Sequence, residues 1–299
     1  MKWKRILGWS GVSITVVFSS LWAYWGAFEN FHEGCYASFL ENIFMFFFQY
    51  LLFAIIFTVL ALISLKWKKA GLLLHLAVSI FCAWFFAKAA FSVLWLLIII
   101  PFAVLAVCYH FGEPYPLSWA YRLILFIPLT IVLAISIPQG IKVANRIDDG
   151  DLGVRTIEDN GVSLAFAPRG PGWPDEGVTW EEAQTLCSYL SEDGLTIMDS
   201  KQNIWRLPTV DEAVRSMMLH GENAGGIWYA QDEKAVYEKT PDKESPLWDV
   251  HSKIIYYWTA DTSVQDPKQA YIIVYNGGVY DKRKTDRLGY LSFRAVKDL

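Results

Sequence analysis

Leu123-Ile-Leu-Phe-Ile-Pro-Leu-Thr-Ile-Val-Leu-Ala-Ile-Ser-Ile-Pro-Gln-Gly-Ile-Lys-Val-Ala-Asn-Arg-Ile-Asp-Asp149 is where the chain changes character. From Leu123 to Ile141 there is no charge; Lys142, Arg146, Asp148 and Asp149 then follow in quick succession. About 20 apolar residues in an α-helix cross a hydrocarbon core of about 30 Å. The stretch therefore reads as the last membrane span and the threshold of a water-soluble half. Charge counts on either side agree. Residues 1–140 hold eight Lys/Arg, four Glu and no Asp, whereas residues 141–299 hold eighteen Lys/Arg and twenty-six Asp/Glu. This division excludes disorder, a disulfide mini-protein, a fibre and a single soluble globule. The acidic second half also excludes a nucleic-acid partner, since phosphate binding needs clustered Lys and Arg.

Working back from Leu123, two more uncharged stretches are long enough to span, residues 6–28 and 42–65. Between Gly71 and Tyr109 lies an apolar run broken only by His75 and Lys88. As one helix it would be nearly twice the membrane thickness. It reads as two spans, 71–87 and 89–109, turning at Lys88, because a Lys at a hairpin tip can snorkel to water. Five spans in a domain of residues 1–141 result. A basic start followed by an apolar run also has the form of a signal peptide; its length and the four further spans favour an uncleaved anchor.

Orientation follows from the short loops. Lys2, Lys4 and Arg5 precede the first span, and Lys66, Lys68 and Lys69 follow the second. The loop between them holds Glu29, Glu33 and Glu41 and no Lys or Arg. The N-terminus is expected in the cytoplasm of a bacterial cell and the C-terminal domain in the periplasm or outside, with the bilayer as first partner. Lys142 and Arg146 pull weakly the other way. No Asp, Glu or Arg lies deep in a span, so the pathway residues of a transporter are missing. His75 reads as a helix-end residue near the cytoplasmic interface. Trp3, Trp9, Trp22, Trp25, Trp67 and Trp119 read as an aromatic belt. Pro101 and Pro128 should kink their spans.

After a linker, residues 142–156, the domain 157–299 shows two helix starts. Thr179-Trp-Glu-Glu182 and Thr209-Val-Asp-Glu212 are capping boxes, in which each Thr caps an N3 amide and each Glu reaches back. The first helix runs to about Leu190 with Ala183, Leu186, Cys187 and Leu190 on one face; the second runs to about His220. Residues 254–259, the hairpin 271–281 around Asn276-Gly277-Gly278, and residues 291–296 read as strands. The expected architecture is α+β with a mostly antiparallel sheet.

Val178-Thr-Trp-Glu-Glu-Ala-Gln-Thr-Leu-Cys-Ser-Tyr-Leu-Ser191 followed by Trp205-Arg-Leu-Pro-Thr-Val-Asp-Glu212 resembles the formylglycine-generating-enzyme (sulfatase-modifying factor) family, with its VSWEDA and RLPTEAEWE helices. It is equally similar to the Lcl-type C-terminal domain, whose hallmark is WRLPTVDEL. Tyr257-Trp-Thr-Ala-Asp-Thr-Ser263 looks like the YWSSTT of that domain, and Phe293-Arg-Ala-Val296 like its closing strand. The resemblance covers roughly Ile157–Lys297 and implies a C-type-lectin-like fold. It makes Thr179, Trp180, Glu182, Cys187, Trp205, Arg206, Pro208, Thr209, Glu212, Trp258 and Arg294 structural motif residues. Arg206 would be an organiser bridging backbone carbonyls and an acidic partner; the three tryptophans would be core.

The family's catalytic signature is missing. Its enzymes bind copper through a late cysteine pair, soft thiolates suited to Cu(I); here Cys187 is the sole cysteine after residue 140. GNVWEW and RGGSW segments are absent, as is the histidine cluster of the iron-using relatives. No catalytic residue and no cofactor are therefore assigned. Calcium could use Asp232, Glu233, Asp242 or Asp249, without a supporting spacing. Cys82 and Cys108 read as apolar packers; a Cys35–Cys187 disulfide stays open. In lectin-like folds late loops carry recognition, which singles out Trp228, Tyr229, Asp232, Trp248 and Asp249, with Tyr237, for a carbohydrate, peptide or protein ligand. The expected function is a non-catalytic membrane protein that displays a lectin-like domain for binding or assembly, with a protein partner or a second copy. Its alternatives are a divergent enzyme of the family and a transporter or channel subunit.

Overall fold

In a computed structural model the chain forms two compact units that divide between Ile141 and Lys142. Residues 2–33, 38–86, 95–150, 153–168, 177–252 and 254–299 are described.

The first unit is helical. Its elements are α1 (Lys2–Glu33), α2 (Phe39–Met45), α3 (Leu52–Lys66), α4 (Lys68–Phe85), α5 (Ile100–Phe111) and α6 (Leu117–Ala144). A π-turn, Phe46–Tyr50, joins α2 to α3, and another, Trp95–Ile99, leads into α5. Among the described residues, three helices are long and apolar enough to cross a membrane: α1, α4 and α6. A fourth crossing is counted if α2 through α3 is one span.

Of the five expected spans, one differs in shape and another is described only in part. The run 42–65 is bent by 65° at Leu51 rather than continuous. Leu51 leaves helical geometry (φ −93°, ψ 1°), and the bend fits against α1, where a Cβ on Gly26 would lie 2.1 Å from the Tyr50 carbonyl oxygen. Apolar residues on both sides of Leu51 leave no hydropathy mark there. Of the expected span 89–109, the apolar helix Leu97–Phe111 lies within the described residues. The turn expected at Lys88 lies outside the described residues. Even so, α4 and α5 pair as an antiparallel hairpin. The Ser79 hydroxyl donates to the Ile99 carbonyl at 3.0 Å, and the His75 ring sits 6.1 Å from that of Phe102 and 6.0 Å from that of Tyr109.

The core of this unit packs Val12, Phe57, Ile98, Phe102, Leu105 and Ile124, with Phe57 stacked on Phe102 at 4.1 Å. Trp22, expected in the interfacial belt, belongs to this core, tilted on Phe53 with its indole N–H donating to the Leu97 carbonyl. Pro101 stands in the first turn of α5, directly after the π-turn Trp95–Ile99. His75 is fully buried, close to the α3–α4 corner. Glycines allow the closest crossings. A Cβ on Gly8 would meet the Pro114 nitrogen at 2.3 Å, and one on Gly71 would meet Ser64 Oγ at 2.1 Å.

Among its described residues the second unit carries α7 (Trp180–Tyr189) and α8 (Val210–Arg215) with eleven short strands. In chain order these are β1 (Arg155–Asp159), β2 (Val162–Phe166), β3 (Met218–Leu219), β4 (Glu222–Asn223), β5 (Ile227–Tyr229), β6 (Lys234–Val236), β7 (Tyr256–Thr262), β8 (Gln269–Val274), β9 (Val279–Arg283), β10 (Leu291–Ser292) and β11 (Val296–Asp298). One sheet has the order β1-β2-β11 and the larger one β10-β7-β8-β9; β3-β4 and β5-β6 are separate hairpins. All pairings are antiparallel except β10 with β7.

Three differences from the sequence reading have local causes. The second helix stops at Arg215, because Ser216 caps it and His220 (φ 51°) and Gly221 (φ 78°) turn β3 into β4. The final strand is split: Leu291–Ser292 joins β7, whereas Val296–Asp298 crosses to β2. The end of the expected linker belongs to the sheet, because β1 starts at Arg155 and pairs with β2 across a tight turn at Asn160 (φ 50°) and Gly161 (φ 78°). Two apolar clusters fill this unit. Val210, Val214, Met217, Trp248, Tyr257 and Ile273 belong to one; Val178, Cys187, Leu190, Trp205, Trp258 and Phe293 belong to the other.

Candidate functional site

The segment from Trp205 to Glu212 ties the second unit together. Trp205 is buried, and its indole N–H donates to the Ser191 carbonyl at 2.8 Å. Arg206 opens a fork onto Glu212, with bonds of 2.7 and 2.8 Å, and also reaches Asp298 at 2.6 Å and the Leu207 carbonyl at 3.2 Å. Its backbone pairs with Val296, so one residue joins the motif, the α8 start and the final strand. The Pro208 carbonyl accepts from the Ala260 amide. Thr209 and Glu212 form a complete capping box on α8, and Asp261 accepts from the Val210 amide at 2.6 Å. Glu212 is partly buried, which alone would raise its carboxyl; the Arg206 hydrogen bonds and the Thr209 amide outweigh burial and hold it below the usual range.

The first motif is built in the same way. Thr179 and Glu182 form the capping box of α7, and Arg287 bonds Glu182 from outside. The Trp180 indole donates to the Thr259 carbonyl at 2.8 Å while Lys284 lies 4.1 Å from its ring centroid. Trp258 is fully buried and donates to the Val178 carbonyl at 2.9 Å. Arg294 is buried in the connection between β10 and β11. Cys187 is a free, buried thiol whose pKa burial pushes up, away from reactivity. Cys35, its suggested partner, lies outside the described residues.

The five residues singled out for ligand binding separate into three places. Trp228, Tyr229 and Asp232 share the β5–β6 hairpin. Trp228 turns inward, edge-on to Tyr271 at 5.9 Å, and Tyr229 faces outward. Trp248 corrects the reading of an exposed aromatic: it is 1% exposed and stacked on Tyr257 at 4.1 Å. Asp249 belongs to the following turn, where it accepts from the His251 amide. Tyr237 is also mostly buried, its hydroxyl donating to the Gly277 carbonyl at 2.9 Å.

Sequence reasoning missed the residues that brace the hairpin. The Tyr271 hydroxyl donates to Glu233 Oε1 at 2.5 Å, and the Gln265 amide donates to Glu233 Oε2 at 2.7 Å. Glu233 sits at φ 48°, a strained position for a residue with a Cβ. The outward residues of the two strands are Ile227, Tyr229, Lys234 and Val236, and Val264 is 81% exposed. Cross-strand pairing puts Ile227 opposite Val236 and Tyr229 opposite Lys234. Their signal was a short alternation, Ile-Trp-Tyr against Lys-Ala-Val, too brief to stand out.

The acidic residues considered for calcium are dispersed. Asp242 is buried and bonded twice by Arg146 at 3.0 Å, with Lys142 at 3.6 Å. Burial alone would raise its carboxyl, but those cations hold it below the usual range. The neighbouring Glu244 accepts from the Ile147 amide, and Ser245 bonds Asp149. Residues 142–149 are thereby held to residues 242–245. No group of three or more His, Cys, Asp or Glu gathers as a metal site among the described residues. No family model, curated protein or solved structure matches this chain.

Proposed function

We propose that the chain is a bacterial inner-membrane protein whose second unit is a non-catalytic, lectin-like, sulfatase-modifying-factor-like domain that binds a protein partner. The observation that carries this reading is the β5–β6 hairpin. Its outward face offers Ile227, Tyr229 and Val236 around Lys234, and the Tyr271–Glu233–Gln265 bonds hold it from beneath. A braced aromatic with aliphatic neighbours suits a protein anchor, which gains from burying apolar area. A sugar would need hydrogen-bonding groups beside the ring, and here the nearest cross-strand neighbours supply one ammonium. The membrane half serves as anchor, with the N-terminus in the cytoplasm and the second unit beyond the membrane.

A photo-crosslinker in place of Tyr229 in living cells tests it. A discrete crosslinked species, lost when Ile227 and Val236 are both replaced by Ser, is the expected result. A crosslink to a second copy assigns the partner as the chain itself. No crosslinked species at all overturns the reading. Formylglycine formation on a sulfatase peptide would overturn its non-catalytic part in favour of the divergent-enzyme alternative.

A further inference from the structure

The helical unit has a second feature that the binding-domain reading does not use. One end of this unit gathers the start of α1, the α3–α4 corner and the α5–α6 loop. Lys68 at the start of α4 pairs with Glu113, which follows α5, at 2.7 Å; Lys4 of α1 is 4.0 Å from the same carboxylate. The Glu113 amide donates to the Lys4 carbonyl at 2.8 Å, so the loop is fastened to α1. Around this end Trp3, Trp67, Tyr115 and Trp119 are exposed, with Lys66 over Trp67 and Arg122 over Trp119. Exposed tryptophan and tyrosine mixed with lysine and arginine is the composition of a membrane–water interface.

A cavity of about 210 Å³ opens beside the Lys68–Glu113 pair. Leu65 and Leu117 form its apolar walls, and Ser64 and Tyr109 line it from the buried side. Behind them, His75 shares its Nδ1 with Ser64 Oγ at 3.3 Å and the Gly71 carbonyl at 2.9 Å, and its Nε2 has no partner among the described residues. The cavity is thus charged at the mouth and apolar along its sides.

We infer that this cavity is a site for a phospholipid head group of the phosphatidylethanolamine kind, with the phosphate on Lys68 and Lys4 and the ammonium on Glu113. A cation and an anion that already face each other can each exchange its partner for the opposite end of a zwitterion. The exchange costs little, because an exposed ion pair is held only weakly in water. Lys68, by hydrogen bond and charge, and then Lys4 hold the Glu113 carboxyl below the usual range, so it presents an anion. A choline head group offers Glu113 no N–H donor, and a glycerol head group offers no cation. The apolar walls and the aromatic surroundings favour a lipid over a free head group. This inference rests on the membrane reading of the first unit.

The test is native mass spectrometry of the full-length protein in detergent with phosphatidylethanolamine, its mono- and dimethyl derivatives, phosphatidylcholine and phosphatidylglycerol of matched chains. Retention should fall stepwise with each methyl group, by about fivefold across the series, as the charge-assisted N–H bonds are lost. Glu113→Gln should flatten that series while leaving phosphatidylglycerol bound, and Lys68→Ala should weaken every phospholipid. A flat series in the unaltered protein overturns the site without any variant having to fold. Displacement by an equal concentration of glycerophosphoethanolamine would overturn the lipid assignment and leave a soluble head-group site. Alkaline carbonate extraction reads the membrane assignment separately: release from membranes refutes insertion, whereas retention with a flat series refutes only this site.

Discussion

Arg206 shows how far one residue can specify a domain. Its planar guanidinium meets both oxygens of Glu212 and one of Asp298, a geometry that lysine cannot copy. Arg206→Ala should cost about 1.5–3 kcal/mol, the range for hydrogen bonds to charged groups, and Arg206→Lys should recover less than half. Thermal unfolding of the full chain followed by tryptophan emission measures both; equal melting of Arg206→Ala and the unaltered protein would contradict the role. Asp242 differs in being buried together with the Arg146 side chain. Its folded pKa lies below the unfolded value of about 3.9. Its contribution is therefore full above that unfolded value and is lost as pH falls through the folded one. Asp242→Asn should be destabilised by about 1.5–3 kcal/mol at neutral pH, since the two charge-assisted bonds from Arg146 lose their anionic acceptor. The gap from the unaltered protein should narrow as pH falls through the acid range below about pH 5. A gap that stayed constant across that window would show that the ion pair is not its source.

At the scale of elements, what the sequence made legible was what local chemistry alone decides. Both capping boxes form with the expected partners, because a Thr and a Glu three residues apart satisfy backbone donors without help from the rest of the fold. Thr179→Ala and Thr209→Ala should each cost about 1 kcal/mol in the same melting experiment. A much larger loss at Thr209 alone would mean that Arg206 depends on the α8 cap. The hairpin at Asn276-Gly277-Gly278 was legible for a similar reason, since Gly277 takes φ 84° and β8 continues into β9. Asn160-Gly161 carries the same kind of signal, but the strands on either side of it are only five residues long and the sequence reading assigned no hairpin there. Gly161→Ala should lose about 1 kcal/mol or more through its positive φ. The bend at Leu51 and the burial of Trp248 were not legible. Both depend on what lies across the fold, the Gly26 surface in one case and the Tyr257 ring in the other. The candidate binding surface was legible only in part, through Tyr229 and its hairpin neighbours.

At the scale of the whole molecule, the direction of the helices bears on the side from which the chain emerges. Lys4 and Lys68 meet on Glu113, so the start of α1, the start of α4 and the end of α5 share one end of the helical unit. A Cβ on Gly140 of α6 would lie 3.7 Å from the Phe31 ring of α1, so the far ends of those two helices meet as well. Hence α1 and α6 run in the same direction. At 28 residues α6 is about 42 Å long, enough to cross the bilayer. The helices between them must return the chain to its starting end, whether the bent pair and the α4–α5 hairpin cross fully or re-enter. With a basic first turn in the cytoplasm, Leu299 should then be exposed on the opposite face. A protease or impermeant thiol probe on spheroplasts, with tags at Met1 and Leu299 in separate versions of the gene, decides it. The Leu299 tag should be attacked and the Met1 tag protected until the membrane is broken. Protection of both tags would mean that α6 does not cross, despite its length, and the hairpin face with Tyr229 would have to find its partner in the cytoplasm.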